Sequence, residues 1–201
     1  MTDHAYQDLV SLDIQEPIWE RFFTVNPLVL VGTRDPGGEI DLAPKHMAFP
    51  MGWDNYFGFV CSPSHATAAN IERTGEFTVS YPRPSQLLFT SLAASPRQGD
   101  GKPVLSVFQT FPAARVDGEL LTDAYLHLEC THHATFEGFG RNILITGQIV
   151  AAHVAKDALR SSDRDDQQLV HNSPLVSYLH PGRFFSIADS NAFPFPKDMK
   201  K

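Results

Sequence analysis

Apolar residues in this chain come in short bursts, broken by glycine, proline and polar clusters, and most bursts read as strands. Residues 27–35, PLVLVGTRD, form an apolar run opened by a proline. The DPGGEI stretch at 35–40 is a turn signal, because proline presets one backbone dihedral and paired glycines accept positive φ. Residues 39–43 then return as the second strand of a hairpin. Residues 55–61, NYFGFVC, and 77–81, FTVSY, are further apolar strands. Along 125–136 the pattern alternates: Leu126, Leu128 and Cys130 fall on one face, His127, Glu129 and Thr131 on the other. Residues 141–154 make a long apolar strand with Gly147 as an expected bulge, and 183–189 make a last short one.

Helices are fewer. Residues 62–76, SPSHATAANIERTGE, carry the clearest signals. Ser62 is placed to cap the N-terminus, Pro63 suits the first helical position, and Gly75 sits where a left-handed residue ends a helix. Residues 84–95 read as a second helix, also opened by a proline, and 17–25 as a short amphipathic one. Residues 97–104 read as a loop and 156–170 as a polar, partly helical segment. Residues 1–16 form an N-terminal arm, and a C-terminal tail runs over about 190–201. No internal repeat or linker divides the 201 residues, which predicts a single domain. About six strands, joined by hairpins and a few helices in place of regular βα alternation, predict a mainly β fold, an antiparallel barrel.

Composition narrows the function classes. The net charge is −7, from 16 basic and 23 acidic residues, which argues against nucleic-acid binding but leaves room for one local basic pocket. The first residues lack a basic start followed by an apolar run, and no stretch is apolar for long enough to span a bilayer. The expectation is a cytoplasmic protein without membrane or nucleic-acid partners. Cys61 and Cys130 sit in apolar contexts with no repeated spacing and read as buried thiols.

Two segments carry candidate chemistry. The first turn of the helix at 62–74 offers free backbone N–H groups and the positive end of a dipole, which favour an anion. Ser62, His65 and Thr67 lie there, and Asn70 follows Thr67 on the same face. The plainer alternative is that Ser62 and Thr67 only satisfy the helix end. The second segment is IDLAPKHMAFP at 40–50. Pro44 removes a ladder donor and belongs at an edge or bulge, which frees the N–H groups of Lys45, His46 and Met47 to read the polar edge of a planar heterocycle. Its plainer alternative is an edge strand that Lys45 guards against unwanted pairing. A zinc reading of HLECTHH at 127–133 conflicts with strand geometry, since His127 and Cys130 face opposite ways, and no metal is expected. Cys61 with His65 is a conceivable nucleophile and base. No Gly-x-Ser-x-Gly elbow or protease signature accompanies them, and no Gly-x-Gly-x-x-Gly follows a strand.

Taken in order, PLVLVGTRDPGGEIDLAPKHMAF (27–49), CSPSHATAANIERTGEFTVSYP (61–82) and GRNILITGQIV (140–150) resemble the flavin reductase-like family, flavoredoxin-like members included. The resemblance spans roughly residues 17–190. Its most specific piece, TAANIERTGEFTV at 67–79, matches the family's Thr-x-x-Asn-Ile-x-x-Thr-Gly-Glu-Phe run. The family implies a six-stranded antiparallel Greek-key split barrel that binds FMN, assembled as a homodimer with FMN near the subunit interface. It implies that the segment after Asp41, with Ala43 and Pro44, lies along the isoalloxazine ring and ribityl chain. The helix start carrying Thr67 then faces the phosphate.

Members commonly pass a hydride from NADH or NADPH to the flavin, and others hold FMN as an electron-transfer group. The expected activity is therefore an NAD(P)H:FMN oxidoreductase, with a non-catalytic electron carrier or a plain binding protein as the alternative. The chemistry belongs to the cofactor, and no side chain is assigned a catalytic role. Lys102, in a Gly-rich loop, and Arg141 with Asn142 are further candidates for flavin or phosphate contact. Phe184 is a candidate ring contact, with core packing as its alternative. Several positions depart from the family. Asp41 stands where Asn is frequent, His46 where Ser is frequent, and Gly140-Arg141-Asn142 where Gly-Asp-His is frequent. The Lys or Arg that commonly precedes the phosphate-loop Thr is missing, which leaves His65, Lys45 and Arg141 as candidate cations.

Overall fold

The hairpin predicted around the turn at 35–40 is the start of a much larger sheet. A computed structural model of the chain describes residues 7–95 and 102–194. A 3-10 turn at Ile18–Arg21 precedes β1 (Thr24–Pro27), β2 (Val29–Arg34), β3 (Ile40–Lys45), β4 (Ala48–Pro50) and β5 (Tyr56–Cys61). Helix α1 (Ala66–Thr74) leads to β6 (Glu76–Tyr81), and α2 (Leu87–Leu92) follows. A ribbon of β7 (Thr110–Pro112) and β8 (Glu119–Leu121) comes next, then a long hairpin of β9 (Leu126–Phe139) and β10 (Asn142–Val154). Helix α3 (Asp166–Asn172) precedes β11 (Leu175–His180) and β12 (Arg183–Ile187). The main sheet has seven antiparallel strands in the order β3-β2-β6-β9-β10-β5-β4, and a smaller sheet has the order β1-β11-β12.

Strands β3 and β4 are the two outer edges of the main sheet, yet only His46 and Met47 separate them in sequence. Three Cα steps reach about 11 Å, whereas seven flat strands would hold their edges about 29 Å apart. The sheet must therefore curl into a half-barrel, and β3 does come against β5. Val60 donates its N–H to the Met47 carbonyl at 2.8 Å and secures the link.

Strand alternation fills the inside of the curl. Val29, Val31, Phe57, Phe59, Phe77, Val79, Cys130, Ile143 and Ile145 form one buried cluster, which Ala68 and Ile71 of α1 join. Each large side chain there contributes roughly 1.5–3 kcal/mol. The predicted glycines hold their places. Gly75 ends α1 with φ 72° and donates to Ile71 O at 2.8 Å. Gly147 marks a register shift between β9 and β10, and a Cβ there would lie 2.5 Å from the Phe77 ring.

The other face of the sheet is covered too, so the expected polar face of β9 is buried. His127 bonds with Ser80, and Glu129 is 0% exposed. The Glu129 carboxylate accepts N–H bonds from Ala114 (3.1 Å) and Arg115 (2.5 Å) and meets His153 Nε2 at 3.2 Å. It thereby ties the β7–β8 loop to the sheet.

Several expectations need correction. The described residues hold twelve strands, not six; the additions include the short edge β4, the ribbon, and β1 and β11 of the smaller sheet. Residues 17–25 give one 3-10 turn and β1, because Phe22 is already extended. Helix α1 starts at Ala66, with His65 in the capping position, because Ser62 is used in a turn of its own: its carbonyl accepts from His65 N at 3.1 Å. The helix expected at 84–95 divides into a 3-10 turn at Pro84–Gln86 and α2. Most of the loop at 97–104, together with residues 1–6 of the arm and 195–201 of the tail, lies outside the described residues.

Two outcomes follow from this packing. Gly147→Ala forces the new methyl group onto Phe77 and lowers stability by about 1–3 kcal/mol in urea denaturation. The Glu129 carboxyl lies below its ordinary range: burial alone would raise it, but the Ala114 and Arg115 N–H groups and the His153 ring prevail. Its contribution is complete above the unfolded carboxyl pKa of about 4.3 and is lost as pH falls through the lower folded value. Glu129→Gln therefore flattens the acid side of a plot of thermal midpoint against pH.

Candidate functional site

Three residues of β3 share one face by strand alternation: Asp41, Ala43 and Lys45. They line a cavity of about 420 Å³, completed by residues 64–67 at the start of α1, residues 93–95 after α2, and Lys102. Small Ala43 leaves room between the two charged neighbours. Lys45 is only 8% exposed. Its positive charge is felt by the Cys61 thiol, and no carboxylate pairs with it among the described residues. A buried cation without a counter-charge is costly unless an anion completes it. Thr67, 2% exposed, brings a hydroxyl to the same cavity in the first turn of α1.

His65 sits at the rim, in the position that caps α1. Its pKa is lowered by burial first, then by the charges of Lys45 and Lys102. Cys61 Sγ lies 3.8 Å from His65 Nδ1. Burial pushes the Cys61 thiol up, against the pull of Lys45, so the sulfur stays protonated and is no activated nucleophile. The cavity is suited to hold an anion, not to attack a substrate.

Lys102 does a different job from the one its Gly-rich surroundings suggest. Its Nζ donates to Leu42 O (3.1 Å) and Ala93 O (3.0 Å) and lies 3.0 Å from Asp41 Oδ1. The last contact is an ion pair without hydrogen-bond alignment. Lys102 thus clamps the segment after α2 onto the edge of β3 and neutralises the Asp41 carboxylate.

The Asp35 N–H to Glu39 O bond of 2.9 Å also sets the ladder of the β2–β3 hairpin. Bonded pairs alternate from there, so Lys45 meets Val29 in a bonded pair and Leu42 and Pro44 turn outward. The Lys45 amide therefore belongs to the ladder, and only the His46 and Met47 amides lie in the link.

Beyond Pro44 lies a second cavity of about 600 Å³ with the opposite character. Leu28, Leu87, Leu88, Tyr178 and Phe184 supply apolar walls, and Pro44 and Ala94 border both cavities. The His46 ring packs on Tyr178, centroids 4.5 Å apart, and stacks with His180 at 5.6 Å. Its Nε2 is buried and has no hydrogen-bond partner among the described residues. Burial first, then His180 and Lys45, lowers the His46 pKa, so the ring is neutral at neutral pH.

A cationic compartment thus abuts an apolar, aromatic one, and comparison with known proteins places the whole. Residues 22–184 match the model of the flavin reductase like domain. The chain belongs to the flavin reductase-like family. Among solved structures it is similar to the flavoredoxin of Desulfovibrio vulgaris (Miyazaki F), with TM-score 0.76 and 17% identity over 94% of this chain and 99% of that one. An FMN-binding protein from Thermus thermophilus with bound p-hydroxybenzaldehyde matches at TM-score 0.75 and 19% identity, over 92% and 100% of the two chains. A 2-nitrobenzoate 2-nitroreductase of Pseudomonas fluorescens matches at 0.73 and 19%, over 88% and 87%. At these identities the neighbours establish the split-barrel fold alone.

Within the family fold, Asp41, Ala43, Pro44, Lys45, His65, Thr67 and Lys102 come together around the polar cavity, and Pro44, His46 and Phe184 around the apolar one. The others stand apart. Asn70 faces β2 and donates to Thr33 Oγ1 at 3.0 Å, so it anchors α1. Ser62 bonds with Ser64, and Met47 is exposed beside its carbonyl bond to Val60. Arg141 and Asn142 lie exposed at the tip of the β9–β10 hairpin. Tyr178 and His180 were not anticipated; the alternation of Val176, Tyr178 and His180 in LVSYLH is the signal that reveals them.

One outcome isolates the buried cation. Lys45→Met removes an uncompensated charge, so the ligand-free protein gains about 1–3 kcal/mol of stability. The same variant loses the rise in thermal midpoint that inorganic phosphate gives the parent protein.

Proposed function

We propose that the protein binds FMN across the two cavities and acts as an NAD(P)H-dependent flavin reductase. The observation that carries this reading is the shared border at Pro44 and Ala94. An elongated ligand with an anionic end and a planar aromatic end meets a cationic compartment at one side of it and an apolar, aromatic compartment at the other. Family membership supports the same reading.

The residues divide the work. Lys45, the Thr67 hydroxyl and the free N–H groups at the start of α1 hold the phosphate. His65 borders it at the rim and gains basicity when an anion arrives. Pro44 and Ala43 provide a flat floor without competing amide donors. Leu28, Leu87, Leu88, Tyr178 and Phe184 exclude water from the planar part, and the partnerless His46 Nε2 offers that part's polar edge a hydrogen bond. Bound FMN supplies the capacity to accept a hydride from NADH or NADPH, which no side chain here possesses. Exposed Val25, Phe184 and Phe185 on the smaller sheet support a homodimer that covers them. A cytoplasmic location, where nicotinamide and flavin are plentiful, completes the proposal.

The test is spectroscopic and kinetic. Purified protein titrated with FMN should quench flavin fluorescence, with riboflavin bound at least about tenfold more weakly for want of the phosphate. NADH or NADPH oxidation should then require FMN. Tight FMN binding without nicotinamide oxidation would identify an electron carrier, and a colourless protein with no FMN affinity would refute both roles.

A further inference from the structure

Two stacked imidazoles stand at the apolar cavity, each with a ring nitrogen unpaired. His46 lies in the link after β3 and His180 ends β11, so the stack joins the main sheet to the smaller one. The rings are 15° from parallel, with centroids 5.6 Å apart, and the His46 ring lines the cavity. His46 Nε2 and His180 Nδ1 are both buried, and neither has a hydrogen-bond partner among the described residues. A buried polar atom without a partner is rare and costly, and two in one stack point to a use. In either tautomer a neutral imidazole keeps one nitrogen able to take a proton.

The groups that face His46 are basic or neutral. Lys45 precedes it on β3, β11 brings Tyr178 and His180, and β12 brings Arg183 to the same cavity. Helix α2 adds Leu87, Leu88, Thr90 and Ser91, and the β1–β2 junction adds Leu28, none of which titrates near neutral pH. No acidic residue lines this cavity among the described residues. Burial first, then His180 and Lys45, therefore keeps the His46 ring neutral. Negative charge in the cavity reverses that balance, because a unit charge a few ångströms away changes a proton equilibrium by more than about tenfold.

We propose that His46 takes up a proton when flavin in this cavity is reduced, and that His180 sets the pH range in which it does so. This rests on the FMN reading of the site. A hydride, which is two electrons and a proton, leaves NADH or NADPH oxidised and adds one negative charge to the flavin. His46 then binds one proton from solvent, which offsets that charge; the new N–H is the only bond formed in this step. His180 opposes a charge on His46, since two imidazolium rings in one stack repel each other. His46 borders the ligand, and His180 acts only through it, as a positioning residue. The site therefore holds reduced flavin more tightly than oxidised flavin. That preference grows as pH falls toward the range in which His46 titrates without reduction.

The experiment is the pH dependence of the flavin potential. FMN bound to the full chain and FMN free in solution are titrated reductively from about pH 6 to 9, the range that spans a perturbed histidine. One further proton per two electrons makes the bound potential fall about 30 mV per pH unit more steeply than the free one. His46→Gln should abolish the extra slope and weaken reduced relative to oxidised FMN at least about tenfold, a loss of about 30 mV. His180→Gln should keep the extra slope and carry it to higher pH.

Parallel lines for bound and free FMN would overturn the proposal without any variant, so it does not depend on either variant folding. An extra slope that survives His46→Gln would place the proton elsewhere and overturn it too. An extra slope that His180→Gln leaves at the same pH would overturn the part given to His180. A parent protein that binds no FMN refutes the FMN reading and this proposal together, whereas FMN binding with parallel lines refutes the proposal alone.

Discussion

The shape of this molecule depends on a link that is too short for a flat sheet. His46 and Met47 connect the two opposite edges of a seven-stranded sheet, and the sheet curls because they cannot stretch. The same constraint makes the site. As β3 runs out into the link, it has β2 on one side and no hydrogen-bonded strand on the other, so its outer edge faces α1, the segment after α2 and Lys102. Pro44 is tolerated only because this edge needs no further ladder donor. The segment that closes the barrel therefore also supplies the floor of both cavities.

Placing Lys45 on that floor has an energetic cost that the packing does not remove. The groups its charge reaches are a thiol and two imidazoles, none of which is a counter-ion. The core offsets the cost. Phe57, Phe59 and Phe77 are almost wholly buried inside the curl, and each outweighs a modest electrostatic penalty at the site. Stability in one layer thus permits a poorly compensated charge in the next.

Much of this was legible in the sequence, and the failures have identifiable physical causes. The hairpin turn, Gly75 and Gly147 could be read because each rests on a backbone conformation or close approach that glycine alone relieves. The alternation along 125–136 gave the correct inward face, but not the burial of His127 and Glu129, since nothing local announces the loop that covers them. Asn70 was assigned by helical spacing to the face of Thr67, yet that face is wide enough to meet both the cavity and β2. Lys102 was singled out for the glycines around it, while its partners lie up to 61 residues away. Short edge strands escaped notice because three or four residues are too few to establish a period. Local chemistry is readable from sequence; pairing between distant charges is not.

The outer edge of β3 has a last consequence, for how the protein coexists with other chains. An exposed strand edge invites a stranger's strand to add to the sheet, the first step toward swapping or fibrous aggregation. Here the outward positions are Ile40, Leu42 and Pro44. The Leu42 carbonyl is already occupied by Lys102, and Pro44 has no N–H to offer. A foreign strand would miss one acceptor at Leu42 and one donor at Pro44. The mouth of the cavity can stay open to a small ligand while offering polypeptide a poorer edge to pair with.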